Sequence, residues 1–439
     1  MKKDIFKQFI LDFQERDLSH VLPREIDIPI DLDKSISLVG VRRSGKTFIL
    51  FSIVKQLKKN GIDSKNILYI NFEDDRLYPL SLSDLNILLE TYYELFPQKK
   101  KEKVYVFFDE IQNVPGWEMF VRRVLDTENC RIFITGSSAK LLSKEISTAM
   151  RGRGITYEIF PLSFKEFLTF KNIDRDNHTS AGLAKIKNAF NDYLLRGGFP
   201  EVIHYDSDIY TRTLQEYLDL IMYKDIIDRF KLNNKQLLKY LMKFCFVNVS
   251  KLLSPNKLFN DLKSQGLRLS KNTIYEYLGY LEDAYGAFTL PIYSSSVGEE
   301  MRNPKKIYSV DIGFKRVMDY SFKKDTGYLY ENIVFLELRR EMKDIFYFKK
   351  KQEVDFYFIK GEHPNLINVS YDIDNPATRQ REITGLMEAM DYFSIKSGLI
   401  ITSEAEEEIK ENNKHIQIVP LWKWLLYPSA RGTKKALRP

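Results

Sequence analysis

The chain has 439 residues, of which 44% are hydrophobic, and a formal net charge of +7. That length suits two or three domains with ordinary apolar cores, and the basic surplus permits a nucleic-acid partner without demanding one. With only Cys130 and Cys245, five scattered histidines and no apolar run of 18 residues, composition argues against a disulfide framework, a cysteine zinc site and a membrane-spanning helix.

The N-terminus, Met1-Lys2-Lys3-Asp4-Ile5-Phe6-Lys7, carries charge where the apolar stretch of a secretory leader would begin, so a cytoplasmic protein is expected. Residues 1–30 read as a helical lead-in that Leu22-Pro23 breaks. Ile36-Ser37-Leu38-Val39 then reads as a buried strand, and Phe48 to Leu57 as a helix. Between them, Gly40-Val41-Arg42-Arg43-Ser44-Gly45-Lys46-Thr47 fits G-x-x-x-x-G-K-[ST] without a mismatch. Strand, glycine loop and helix are the context that makes this motif a phosphate-binding loop. Gly40 and Gly45 let the backbone turn so that successive N–H groups face an anion, and the helix dipole adds to the attraction. Residues Gly40 through Phe48 are therefore the candidate nucleotide-binding set. Lys46 is expected to reach the β- and γ-phosphates, and Thr47 to place its hydroxyl on Mg²⁺; ATP and Mg²⁺ are the expected ligands.

Ile67 to Phe72 reads as a second strand, and residues 83–95 show helical periodicity. Val104-Tyr105-Val106-Phe107-Phe108 is apolar on both faces, as a central parallel strand is, and runs into Asp109-Glu110. Acids at the carboxyl end of such a strand sit where an open α/β sheet does its chemistry. Asp109 is the candidate metal anchor and Glu110 the candidate base that polarises water. A fourth strand, Arg131 to Ile134, runs into Thr135-Gly136-Ser137-Ser138. Thr135 or Ser137 reads as a sensor of the γ-phosphate or, equally, as the cap of a helix over Ala139 to Leu142. Arg151 and Arg153, set beside glycines, read as a trans arginine finger of an oligomer or as ordinary surface arginines. Residues 183–203 look helical, with a turn at Arg196-Gly197-Gly198-Phe199-Pro200, and suit a small helical lid.

Five segments in order carry a resemblance: the loop at 40–47, Phe107 to Glu118, Ile134 to Ser138, Phe160 to Phe167, and Arg196 to Glu201. Together they resemble the prokaryotic AAA-type ATPases with a C-terminal domain of unknown function of the DUF4143 type. The resemblance spans nearly the whole chain. It implies an α/β P-loop NTPase of the additional-strand (AAA) type, with a helical lid and nucleotide use, and says little of the biological role.

Further along, Asn256 to Ser264 and Ser270 to Glu282 read as two helices around a turn at Gly266. Phe288 to Tyr293 and Lys305 to Tyr308 read as wing strands, which together make a winged-helix module. In a DNA reader, Lys271, Asn272, Thr273 and Tyr275 would face the groove; Glu276, Glu282 and Asp283 fit a protein-binding module instead. From Tyr308 onward the order of a helix with Glu331, a strand with Asp355 and a strand with Asn368-Val369-Ser370 resembles a restriction-endonuclease-like core. There Asn368 and Ser370 stand where Glu-x-Lys is needed, so a degenerate α/β nuclease-like domain used for binding is expected. Ile416 to Pro420 reads as an edge strand. The expected domains are 1–160, an ATPase core; 161–235, lid and linker helices; 236–310, the winged helix; and 311–439, the nuclease-like domain. The expected function is an ATPase that couples hydrolysis to domain movement on a DNA or protein partner. The alternatives are a nucleotide-gated interaction protein and an ATP-dependent nuclease.

Overall fold

The structure, a computed structural model, describes residues 2–136, 152–176, 178–267, 269–319 and 326–427. The chain divides into two compact units, Met1–Phe160 with Asp283–Tyr285, and Pro161–Glu282 with Gly286–Pro439. The segments 161–235, 236–310 and 311–439 thus fall almost wholly in one unit.

The first unit is built on five strands: β1 (Ser35–Val39), β2 (Ile67–Asn71), β3 (Val104–Asp109), β4 (Cys130–Gly136) and β5 (Gly154–Glu158). Their order is β2-β3-β4-β1-β5, and every pairing is parallel. Strand β4 is inserted between β1 and β3, which brings the carboxyl ends of all three together. Strands β1 and β3 are buried along their whole length, as a sheet covered on both faces requires. Helices α1 (Lys2–Glu15) and α2 (Lys46–Lys59) bring Phe13 and Phe51 to a shared core with Tyr69, Phe107 and Phe133. Phe107 and Phe133 stack at 4.8 Å, and Phe13 and Tyr69 at 4.4 Å.

The second unit holds two sheets. The smaller has β6 (Leu252–Leu253), β7 (Ala287–Leu290) and β8 (Lys305–Ser309) in the antiparallel order β6-β8-β7. Helices Pro255–Ser264 and Lys271–Asp283 precede β7. The expected first wing strand is shorter than Phe288 to Tyr293, and the polar connection to β8 contains a short helix, Val297–Arg302. The larger sheet has β9 (Ile345–Lys349), β10 (Glu353–Lys360), β11 (His363–Val369), β12 (Ser397–Thr402), β13 (Glu407–Glu411) and β14 (Lys414–Pro420). Its order is β13-β14-β12-β11-β10-β9. Strands β9 to β11 form an antiparallel meander, and β11, β12 and β14 run parallel. Residues 416–420 were expected to lie at an edge; instead β13 covers β14. That strand reads Glu407-Glu408-Ile409-Lys410-Glu411, an exposed charged edge whose sequence has no apolar run to reveal it. The helix Thr326–Glu341 carries Glu331 and packs beside β8 and β11.

The helical stretch from Ser207 contains a π-helical segment at Ile221–Ile227. The apolar spacing does not mark it, since Leu214, Leu218, Met222 and Ile226 step by four as in an ordinary α-helix.

Candidate nucleotide-binding site

The loop leaves the carboxyl end of β1 under tight steric constraint. Gly40 has φ +152°, and a Cβ there would lie 2.1 Å from the Ile159 carbonyl oxygen. Arg43 and Gly45 take left-handed backbone, φ 64° and 95°, a turn that a glycine adopts at least cost. The first helical bond of α2 runs from the Ile49 N–H to the Gly45 carbonyl at 3.0 Å. The N–H groups just before Ile49 therefore have no intrahelical acceptor, and no side chain caps this end. The Ser44 side chain is fully buried, and its hydroxyl has no hydrogen-bond partner among the described residues. An orphaned hydroxyl, uncapped N–H groups and a helix N-terminus suit an anion of phosphate chemistry.

Around this cradle, Lys46 is buried, and its Nζ donates to the Gly40 and Val41 carbonyls, each at 3.0 Å. Val41 is buried, Arg42 pairs with Glu73 at 3.0 Å, and Phe48 stays half exposed against Phe51. Arg24, which no motif marked, joins the loop to the end of the sheet. Its guanidinium donates to the Ser44 carbonyl at 2.7 Å and the Phe160 carbonyl at 2.8 Å. These partners lie 20 and 136 residues away in sequence, so no local pattern identifies it.

Asp109 ends β3 at 1% exposure. Burial pushes its carboxyl above the ordinary range and the neighbouring Glu110 pushes the same way, against hydrogen bonds from Thr135, Thr47 and Tyr69. The Tyr69 hydroxyl donates to Oδ2 at 2.8 Å, and Thr135 donates to Oδ1. The Thr135 hydroxyl also accepts the Glu110 N–H at 2.8 Å. One threonine at the end of β4 thus ties both acids of β3 in place. Its proton goes to Asp109, so a sensor contact to phosphate would have to give up that bond; the helix it was also expected to cap lies outside the described residues. Glu110 follows in left-handed backbone, φ 52°, and its carboxylate accepts from the Gln112 side-chain amide. Non-glycine residues in that region are uncommon, and such strain is concentrated at functional positions.

The contact between Thr47 and Asp109 sets a hydroxyl against a carboxylate, a hard-oxygen pair that fits Mg²⁺. Arg153 lies at the other end of the sheet. Its carbonyl accepts from the Ser35 N–H at 2.8 Å, and its guanidinium pairs with Asp126. Ser137 and Arg151 lie outside the described residues, as does the helix expected over Ala139 to Leu142.

A parallel sheet with this inserted strand and this loop has the architecture of an AAA-type P-loop domain. A family profile described as an AAA domain matches residues 32–168. A second, described as a domain of unknown function, DUF8612, matches residues 187–324, where the sequence resemblance pointed to DUF4143. The chain is 39% identical over 442 residues to the uncharacterized protein MJ1544 of Methanocaldococcus jannaschii, covering 97% of this chain and 96% of that protein. It is 32% identical over 400 residues to an uncharacterized protein of Haemophilus influenzae, covering 90% and 94%. The chain belongs to the same family as these two proteins. Among solved structures, the Aeropyrum pernix ORC1 protein in complex with DNA matches with a TM-score of 0.31 and 11% identity, over 72% of this chain and 91% of that one. Among the described residues, no helix is long and apolar enough to cross a membrane.

Proposed function

We propose that the protein is a Mg²⁺-dependent ATP hydrolase whose nucleotide cycle moves the second unit on a macromolecular partner. The observation that carries this reading is the buried knot of Asp109, Glu110 and Thr135, with Thr47 of the loop beside it. Backbone N–H groups from Gly40 to Phe48 hold the phosphates, and Lys46 turns from the loop carbonyls to the β- and γ-phosphates. Thr47 and Asp109 hold Mg²⁺, which when bound neutralises charge on the phosphate oxygens. Glu110 orients and polarises the attacking water once Gln112 releases its carboxylate. Thr135 keeps both acids aimed and, as a sensor, exchanges its bond to Asp109 for one to phosphate. Arg153 stands at the opposite end of the sheet from its own loop, so as an arginine finger it serves only a neighbouring protomer; Ser137 and Arg151 are the other candidates for sensor and finger.

The order of helix Lys235–Val247, β6, two helices, β7 and β8 supports a winged-helix reading of the middle of the chain. Lys271, Asn272 and Tyr275, exposed at the start of the second helix, suit DNA. Val297 and Met301, each 72% exposed on the connection between the wing strands, suit a protein partner. A nucleotide-gated interaction protein with slow turnover is the second reading, favoured by the hold of Gln112 on Glu110. ATP hydrolysis by the purified chain, with and without double-stranded DNA, beside Lys46→Ala and Glu110→Gln, separates them. Turnover lost in both variants supports hydrolysis, and stimulation by DNA names the partner. Tight ATP binding without turnover, indifferent to Glu110→Gln, leaves the gated protein.

A further inference from the structure

The carboxylates singled out in the nuclease-like region do meet, and a lysine meets them, from an element that no nuclease pattern predicts. Lys306 lies on β8, at 2% exposure. Its Nζ stands 2.9 Å from Glu331, 2.7 Å from Asp355 and 2.9 Å from Glu353. An ammonium has three N–H donors; here it donates to Glu331 and Asp355 and lies within ion-pair distance of Glu353. The hydrogen bonds that hold these acids are as specific. Tyr308 donates to Glu331 at 2.7 Å, and the Val369 N–H donates to the other Asp355 oxygen at 2.8 Å. Asn368 uses both ends of its amide, accepting the Asp355 N–H at 3.0 Å and donating to Glu382 at 2.8 Å. A glutamate at 368 would lose that donor and crowd another negative charge into the cluster.

We infer that Lys306 is the resident cation of this carboxylate site, standing where a divalent ion would stand and excluding one. Three carboxylate oxygens converge on one point at 2.7–2.9 Å. Calcium takes oxygens at about 2.3–2.6 Å, so a contraction of about 0.3 Å turns the ammonium cage into a calcium cage. Among the described residues no set of His, Cys, Asp and Glu is arranged to hold a metal as it stands. Burial also favours a proton on Glu331, whose carboxyl is pushed up to about 8, as expected where acids outnumber the one cation. Two consequences follow. The site performs no metal-dependent phosphodiester cleavage, and β8 of the small sheet is bolted to β10 of the large one.

The test uses the full chain without nucleotide. Lys306→Met keeps the apolar stem and removes the charge. Melting is measured in EDTA and in Ca²⁺, with Tb³⁺ luminescence sensitised by Tyr308 as a direct probe of occupancy. The wild-type protein melts alike in both and shows no Asp355-dependent Tb³⁺ signal. Lys306→Met melts several degrees lower in EDTA, recovers in Ca²⁺ and gains the Tb³⁺ signal; adding Asp355→Asn abolishes both gains. A variant indifferent to Ca²⁺, or wild-type protein that binds Tb³⁺ through Asp355, overturns the inference. If Lys306→Met fails to fold in EDTA, refolding from urea decides: recovery with Ca²⁺ alone supports the inference, and failure in both overturns it.

Discussion

Asp109 in the first unit takes hydrogen bonds from two hydroxyls, those of Thr135 and Tyr69, with Thr47 beside it, whereas Asp355 in the second takes one from the ammonium of Lys306 and one from the Val369 N–H. Both acids belong to β-strands and both share their surroundings with a glutamate. The difference lies in who brings the positive charge. Neutral donors orient a carboxylate and leave it able to accept a cation, but they offset only part of the rise in pKa that burial causes. A buried ammonium satisfies the charge permanently, and a removed partner leaves the rest uncompensated. The first arrangement suits a site that must load and unload an ion. The second suits a joint.

The variants that break this comparison most strongly are those of the loop and the base. Lys46→Ala is expected to abolish both ATP binding and turnover. Glu110→Gln should keep binding and lower turnover by about 10²–10⁴-fold, the range for a lost general base; equal loss of binding in both would contradict separate roles. Next comes Lys306→Met, expected to destabilise the second unit by about 3–5 kcal/mol in EDTA. Urea unfolding gives the value, and a change below 1 kcal/mol would show the cluster to be loosely coupled to the fold.

Thr135→Val sharpens the comparison by removing only a neutral tie. It takes a donor from Asp109 and an acceptor from the Glu110 N–H, and turnover should fall roughly tenfold, about 1.4 kcal/mol of barrier. Turnover of the wild-type kind would show that the threonine does not aim the acids. Arg24→Gln should act on binding instead. With the loop released from the Phe160 carbonyl, KM for ATP is expected to rise roughly threefold to tenfold with kcat kept, since uniform binding is what is lost. A fall in kcat at unchanged KM would place Arg24 in the chemistry.

Much of the first unit is legible in the sequence because its strands are buried on both faces. Val104 to Phe108 is a continuous apolar run, Ile36 to Val39 is a short one broken only by Ser37, and the glycine loop constrains its own geometry. β5, Gly154–Glu158, is half-buried throughout and lacks such a run. The chemistry is legible where it is local and hidden where it is not. Asp109 and Glu110 announce themselves at a strand end; the left-handed turn of Glu110 and its tie to Thr135 depend on β4 lying alongside. Lys306 reads as one residue of a wing strand, since its partners come 25 and 49 residues later on other elements. The sequence does show that Glu-x-Lys is missing at 368–370; that a lysine enters from β8 is a fact of tertiary packing.

The smallest expected effect concerns Asp311, a third buried acid, held by backbone N–H groups alone. Its oxygens accept from Gly198 and Gly313, each at 2.7 Å. Burial pushes the carboxyl up to about 7 in spite of those bonds. The folded chain therefore keeps this proton to near neutrality, while the unfolded chain releases it near the ordinary 3.8. The sign is that of a raised pKa: the stabilising contribution is complete below the unfolded value and is lost as pH rises toward 7. Asp311→Asn mimics the protonated acid but loses one acceptor, which costs about 1 kcal/mol at pH 5. At pH 8 the wild-type acid is ionised in its buried site, so the same substitution should cost less or become neutral. Urea unfolding of both proteins at the two pH values measures the difference, and a gap that stays constant would mean that the two N–H groups hold Asp311 ionised throughout.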